Sequence, residues 1–256
     1  MGRRLYSKPF LLYIYVAKGI LCDLYHQALS AVPAYTLAMY SDRIKSLLSP
    51  AERAVFKKLD TPNRIQDYLD ALPQNFSHSR GGTLRSPRRM IQNPSAYCFE
   101  AAVFAAASLA YHNREPLILD LRAIEPDVDH VVAVFKENGL WGAISKTNYS
   151  VLKWRDPVYK TIRELVMSYF HEYFLDNGTK SFKDYSLPFN LKKFKPERWV
   201  VAEEPLEWLA VALDNAPHYP TAPKTIFKKT RKASPAEIAA SDTREWRGKE
   251  KERHKI

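Results

Sequence analysis

The stretch that decides the fold begins S-A-Y-C-F-E-A-A-V-F-A-A-A at residues 95–107 and ends L-W-G-A-I at residues 140–144. It holds an alanine-rich segment of helical length and three apolar runs of strand length, at residues 95–111, 117–121, 130–135 and 140–144. The turn Lys136-Glu-Asn-Gly139 between the last two runs predicts a hairpin. One helix followed by three strands, without strand–helix alternation, predicts an α+β fold.

Helix starts lie on both sides of this core. Ser49-Pro50-Ala51-Glu52 is a capping box with Pro at the first helical position. Thr61-Pro62 opens a second helix, which Pro73 ends. We therefore expect extra helices before the alanine-rich segment.

A longer helix is expected after the core. Asp156-Pro157 predicts its start, an apolar stripe runs from Val158 to Phe174, and Asn177-Gly178 predicts its end. A further helix is expected over residues 203–215. Residues 77–90 are polar, basic and rich in turn-forming residues, so they are interpreted as a loop.

Composition and charge divide the chain into three parts. The 46% hydrophobic fraction and the many aromatic residues exclude a wholly disordered protein. The net charge of +11 is concentrated at the ends, with +3 in residues 1–8 and +6 in residues 224–256. The predicted parts are an N-terminal extension, a folded domain and a basic disordered tail, at residues 1–40, 41–220 and 221–256.

The amino terminus combines features of a signal peptide with features that argue against one. Arg3, Arg4 and Lys8 precede an apolar run over residues 9–17, but Lys18 and Asp23 follow closely. The run is shorter than the roughly 20 residues that a transmembrane helix needs. The expected location is therefore cytoplasmic, with no transmembrane segment.

Cys98 and His130 are the residues that best fit a chemical role. Two cysteines exclude a disulfide framework and a four-cysteine zinc site. Cys98 lies in the first turn of the alanine-rich helix, where backbone N–H groups favour a thiolate and an oxyanion, so its pKa is expected to be lowered. His130 opens an otherwise apolar strand and could accept the thiol proton. The alternative for Cys98 is a buried packing role.

These segments resemble the transglutaminase-like superfamily of papain-related thiol enzymes over residues 91–150. The resemblance rests on C-F-E-A-A-x-F-A-A-A, D-H-V-V-A-V-F and G-L-W-G-A-I, and bacterial members of that type are similar also in W-G-A-I-S-K-T-N. It implies a papain-like core with a Cys-bearing helix on a small antiparallel sheet. It also implies a Cys, a His and an Asp four residues after a Trp.

The third position departs from that pattern, because Ser145 stands four residues after Trp141. A Ser can form a hydrogen bond but cannot supply the anion that stabilises an imidazolium. Asn148 is the first candidate for a residue that orients His130, and Asp120 is the second. A Cys–His dyad backed by Ser145 or water is expected if neither reaches the ring.

Two functions remain open on these observations. The first is a cysteine-dependent peptidase, amidase or acyltransferase whose substrate is a peptide or another amide. The second is an inactive transglutaminase-like scaffold that binds an acidic partner or a nucleic acid through its basic tail. No phosphate-binding glycine motif or set of metal ligands is visible, so neither a cofactor nor a metal is predicted.

Overall fold

A computed structural model describes residues 36–75, 83–241 and 243 of the protein. Most of the predicted N-terminal extension lies outside these residues, together with the signal-like segment and Cys22. Within the described ranges, no helix has the length and apolar character needed to cross a membrane.

The α-helices of the described chain, α1 to α9, are Leu37–Leu47, Pro50–Lys57, Pro62–Ala71, Pro87–Gln92, Cys98–Tyr111, Ile162–Met167, Glu207–Asp214, Lys224–Phe227 and Pro235–Ser241. The strands β1 to β7 are Leu117–Ala123, His130–Glu137, Leu140–Ile144, Arg155–Tyr159, Phe182–Ser186, Phe189–Asn190 and His218–Pro220. Mixed helices and an open antiparallel sheet confirm the predicted α+β class.

The strands form one antiparallel sheet in the order β4-β3-β2-β1-β5-β7, with β6 also paired to β1. The β2–β3 hairpin turns at Asn138-Gly139, where both residues have positive φ, as a tight hairpin turn requires. The three predicted strands of the core and the turn between the last two are therefore confirmed.

The sheet separates two hydrophobic cores. Helix α5 packs on one face, here called the helix-side face, against Ile118, Val131, Ala133, Phe135 and Ile144. The opposite face is covered by α6 and the aromatic residues that follow it, and it contributes Leu119, Leu121, Val132, Val134 and Ala143. Helices thus lie on both sides of the sheet.

Helix α5 is buried along nearly its whole length, from Phe99 to Ala110. Small alanine side chains let it approach both the sheet and its neighbour α1. The predicted starts of α2 and α3 are confirmed, because Ser49 and Thr61 each cap a helix with Pro at its first position. These caps fix where the surrounding helices begin.

The long helix predicted from Asp156 to Phe174 is wrong. Residues 155–159 form the edge strand β4, in which Pro157 is tolerated because an edge strand has one unpaired side. Helix α6 instead begins after Thr161, whose hydroxyl accepts from Glu164 N, and it ends at Met167. Gly178, with φ of 80°, lies in a separate turn.

Two other predictions are partly wrong. The loop expected over residues 77–90 contains the start of α4, which Ser86 caps. The chain is not irregular throughout from residue 221, since α8 and α9 fall in the predicted tail. Phe227 packs edge-on against Phe170 at 6.4 Å, and Ala233 N donates to Gly178 O at 2.8 Å. Residues 242 and 244–256 lie outside the described chain.

Candidate functional site

Cys98 is the first residue of α5, and backbone N–H groups of Phe99 and Val131 donate hydrogen bonds to its sulfur. These bonds act to lower the thiol pKa. Burial nevertheless dominates and raises the pKa of Cys98 to about 11, with smaller contributions from the negative charges of Asp120 and Asp129. The expectation of a lowered Cys98 pKa is therefore wrong, because desolvation outweighs the helix terminus.

A buried ion pair fixes the helix end that carries Cys98. Glu100 is fully buried and accepts hydrogen bonds from the Arg85 guanidinium at 2.8 and 3.0 Å. It also accepts from Asn75 at 3.0 Å and from Thr83 at 2.5 Å. The pKa of Glu100 is lowered, because these hydrogen bonds together outweigh the effect of burial, which is the largest single influence.

His130 contacts Ser145, the residue that stands where the family pattern has Asp. Its Nε2 lies 2.8 Å from Ser145 Oγ, and the Ser145 hydroxyl donates to Leu152 O at 2.8 Å. Because that hydroxyl has a single proton, it accepts from an N–H on Nε2. The tautomer assigned by this network leaves Nδ1 as the unprotonated nitrogen.

The His130 imidazole is neutral in this environment. Burial is the main influence that lowers its pKa to about 4, and the positive charge of Arg155 adds to the effect. A hydrogen bond with the Leu152 carbonyl raises the pKa only partly. A protonated thiol and a neutral imidazole therefore describe the resting site, rather than an ion pair.

Gln66 holds Ser145 in place through its side-chain amide. Its Oε1 accepts from Ser145 N and its Nε2 donates to Ser145 O, both at 2.9 Å. Gln66 lies on α3, and it is buried. Gln66 therefore holds both the backbone N–H and the backbone carbonyl of Ser145.

Arg155 holds the segment that supplies the Leu152 carbonyl. Its guanidinium donates to Val151 O at 3.0 Å and to Glu172 Oε2 at 2.6 Å, and it stacks over the Tyr169 ring at 4.1 Å. The same cation opposes a second positive charge on His130.

Asp120 and Asn148, the two other candidates for a residue that orients His130, are both buried. Asp120 Oδ2 is 3.2 Å from His218 Nε2, so the imidazole partner of Asp120 is His218 and not His130. Asn148 is buried four residues beyond the end of β3. His130 Nε2 contacts Ser145 Oγ, whereas Asp120 contacts the ring of His218.

The arrangement brings His130 and Ser145 together, but Cys98 belongs to a different packing cluster. His130 pairs with Leu121, which belongs to the core of the opposite face, whereas Cys98 packs against the helix-side core. Among the described residues, the thiol of Cys98 and the imidazole of His130 form no hydrogen bond with each other. The backbone of Val131, the next residue after His130, is the link between them.

Sequence reasoning missed several residues that build this site. Gln66 and His218 carried no recognised signal, although Gln66 lies beside Ile65 on the apolar stripe of its helix. Arg85 lies in the stretch that the sequence predicts as a loop, and Glu100 lies in the first turn of the alanine-rich helix. Glu100 stands at the third helical position, and its carboxylate accepts from Tyr97 N at 3.4 Å, which is one half of a capping box.

No protein-family model matches the chain. No curated protein is similar enough to count as a match.

Proposed function

We propose that the protein is a transglutaminase-like thiol enzyme that acts on amide bonds, with Cys98 as nucleophile and His130 as base. The observation that carries the proposal is the pair of backbone N–H groups, from Phe99 and Val131, directed at the Cys98 sulfur. Donors fixed in this way also suit the oxyanion that forms when a thiol attacks a carbonyl.

The proposed reaction forms and breaks one bond in each half. Cys98 Sγ bonds to the carbonyl carbon and the carbonyl oxygen takes the negative charge. The thiol proton passes to His130 Nδ1, which requires the two side chains, separate in the structure, to meet beside Val131. The C–N bond then breaks, the amine leaves with the proton from His130, and a thioester remains. Water or a second amine attacks the thioester carbonyl while His130 takes a proton from it, the C–S bond breaks, and the proton returns to Cys98 Sγ, giving hydrolysis or acyl transfer.

Ser145 has a positioning role in this scheme. It fixes the proton of His130 on Nε2 and so leaves Nδ1 to act as base. It supplies no negative charge, so the imidazolium formed in the reaction is less stable than in a site with a carboxylate. We therefore expect slow chemistry.

A small activated ester tests the nucleophile without knowledge of the substrate. We expect p-nitrophenyl acetate to acetylate Cys98 in a Cys22→Ser chain, with a mass increase of one acetyl group located by peptide mapping. His130→Gln should slow this step by about a hundredfold, the lower end of what a general base contributes. His171→Gln is the matched control, since His171 is exposed, and should leave the rate unchanged.

Equal acetylation rates in the wild type and in His130→Gln would contradict the role of His130. Absence of acetylation on Cys98 would favour the second candidate, a catalytically inactive scaffold. The observation in favour of that candidate is Ser145 itself, because no carboxylate stands at the third position. Its partner would be an acidic protein or a nucleic acid bound by the basic C-terminal residues.

A further inference from the structure

A cavity of about 240 Å³ lies where the C-terminal segment, residues 221–241, meets the rest of the domain. The domain contributes Phe170, His171 and Lys180 to its lining, and the C-terminal segment contributes Arg231, Lys232 and Glu237. Three of these side chains are cations and one is a carboxylate, which gives the lining a net charge of +2 with the imidazole neutral. A cavity lined by an excess of one charge attracts a ligand of the opposite charge.

Backbone packing beside the cavity fixes its two walls relative to each other. Ala233 N donates a hydrogen bond to Gly178 O at 2.8 Å. A Cβ atom added to Gly178 would come within 2.7 Å of Ala233 O, so the two stretches of backbone are in close contact. Gly178 is two residues from Lys180, and Ala233 is two residues from Arg231. The contact therefore holds cations of both walls beside the same cavity.

Lys180 is the buried cation of the domain wall, with 5% of its surface exposed. Its ammonium donates to His171 O, and among the described residues no carboxylate forms an ion pair with it. Burial lowers the pKa of Lys180 and the positive charge of Arg231 lowers it further, although Glu237 and Glu172 act to raise it. Buried lysines are usually paired with an anion, and an anion in the cavity would supply that partner.

Arg231 and Lys232 form the wall of the C-terminal segment, and both are exposed. Arg231 Nη1 lies 3.7 Å from Glu237 Oε2, which is too long for a hydrogen bond. That carboxylate oxygen instead accepts from Ser234 N at 2.6 Å. Within the part of the chain that the structure describes, neither cation donates a hydrogen bond to another residue. Their N–H groups are therefore available to a ligand.

The size and charge of the cavity favour a small ligand with two negative charges. Its volume is below the roughly 300–1,000 Å³ of cavities that hold drug-sized molecules. A phosphate monoester has a charge of about −1.5 to −2 at pH 7 and three strong acceptor oxygens. It therefore matches the net charge of the lining and can accept hydrogen bonds from both walls. Lysine and arginine are common ligands of such groups.

We propose that this cavity binds the phosphate group of a small phosphate monoester, which ties the C-terminal segment to the domain through Lys180 on one wall and Arg231 and Lys232 on the other. The proposal does not rest on the proposed function, because it uses no residue of the thiol scheme.

Isothermal titration calorimetry with glycerol phosphate and inorganic phosphate, at pH 7.5 and constant ionic strength, tests the binding. We expect a Kd of about 1 mM or below, the range of a few charge-assisted hydrogen bonds. Lys180→Met should raise the Kd by about tenfold, and Arg231→Gln by about fivefold. Lys228→Gln is the matched control, because Lys228 is an exposed cation of the same segment that does not line the cavity, and it should change the Kd by less than about twofold.

Three results would overturn the proposal. The first is the absence of saturable binding at about 10 mM of either compound. The second is an equal rise of the Kd in Lys180→Met, Arg231→Gln and Lys228→Gln, which would indicate diffuse attraction by the basic segment. The third is a single-stranded oligonucleotide that binds more tightly than glycerol phosphate and is unaffected by Lys180→Met, which would favour nucleic-acid binding by the basic segment. Because Arg231 is exposed, its variant keeps the test valid if Lys180→Met does not fold.

Limited proteolysis with trypsin tests the link between the two walls. Trypsin cleaves after Arg231 and Lys232, and cleavage requires the segment to leave the domain. Glycerol phosphate at ten times its Kd should slow cleavage at these two sites by up to about tenfold in the wild type. The same concentration should have little effect in Lys180→Met. Unchanged cleavage of the wild type with the ligand bound would show that the phosphate does not tie the segment to the domain.

Discussion

Glu100 and His130 are buried ionisable groups on opposite sides of the sheet, and they differ in charge. On the helix-side face, Glu100 is fully buried and its pKa is lowered, because Arg85 and two neutral donors bond the carboxylate. On the opposite face, His130 is just as deeply placed, and its pKa falls to about 4, the direction that removes its charge. Burial opposes charge in both places, so the difference lies in the partners.

This difference shows which buried group depends on charge for its stability. Glu100 is ionised within a network that includes a cation. His130 is neutral, with a hydroxyl on one nitrogen and a cation, Arg155, nearby. At Glu100, removing the charge should lower the free energy of unfolding. At His130, adding a charge should lower it.

The largest effect is expected from Glu100→Gln. The substitution leaves the Arg85 guanidinium buried without its carboxylate, and loss of one partner of a buried pair costs about 3–5 kcal/mol. Urea unfolding monitored by circular dichroism measures the change in unfolding free energy. Glu137→Gln is the control, because its pair with Arg114 is about one-third exposed, and it should cost less than about 1 kcal/mol. Similar losses in both variants would contradict the comparison.

The second effect is a pH dependence that belongs to His130. Its folded-state pKa of about 4 lies below the ordinary value of 6.5, so between these values the unfolded chain binds a proton that the folded chain does not. Stability should thus be complete above pH 6.5 and fall by about 3 kcal/mol as the pH drops to 4. Unfolding free energies of the wild type and His130→Gln across this range isolate the contribution. If the unfolding free energies of the two proteins change in parallel between pH 6.5 and 4, the pKa of His130 is not lowered in the folded state.

The smallest effect is expected from Ser145→Ala. Loss of the hydroxyl removes the hydrogen bond to His130 Nε2 and frees the Leu152 carbonyl, at a cost of about 1–2 kcal/mol. The fixed tautomer is lost as well, so acetylation of Cys98 should slow although Cys98 is untouched. Ser150→Ala, an exposed site nearby, is the control for stability. An unchanged acetylation rate would show that Ser145 does not position the base.

The core of the fold could be predicted because local signals and tertiary packing agree there. The helix that carries Cys98 and the strand that begins at His130 have strong apolar patterns, and Asn138-Gly139 is a strong turn signal. The segment after Asp156 was misjudged because an apolar stripe of helical period there includes Val158, which is 62% exposed on an edge strand. Pairing with β3 overrides the local pattern.

The candidate site could be predicted only in its local parts. The placement of Cys98 at a helix start follows from sequence, but its raised pKa depends on how deeply the sheet buries it. The partners of His130 and Asp120 are separated from them by 15 and 98 residues. Such contacts depend on strand register, which a single sequence does not encode locally.

The Glu100 carboxylate also joins two points of the chain that are adjacent in space. Asn75 and Thr83 both donate to it, and Asn75 Nδ2 lies 2.7 Å from Thr83 Oγ1. The Glu100 carboxylate thus holds together the chain that ends at Asn75 and the chain that resumes at Thr83. A domain inserted between these two residues would therefore be joined to the protein at two points that one carboxylate holds together.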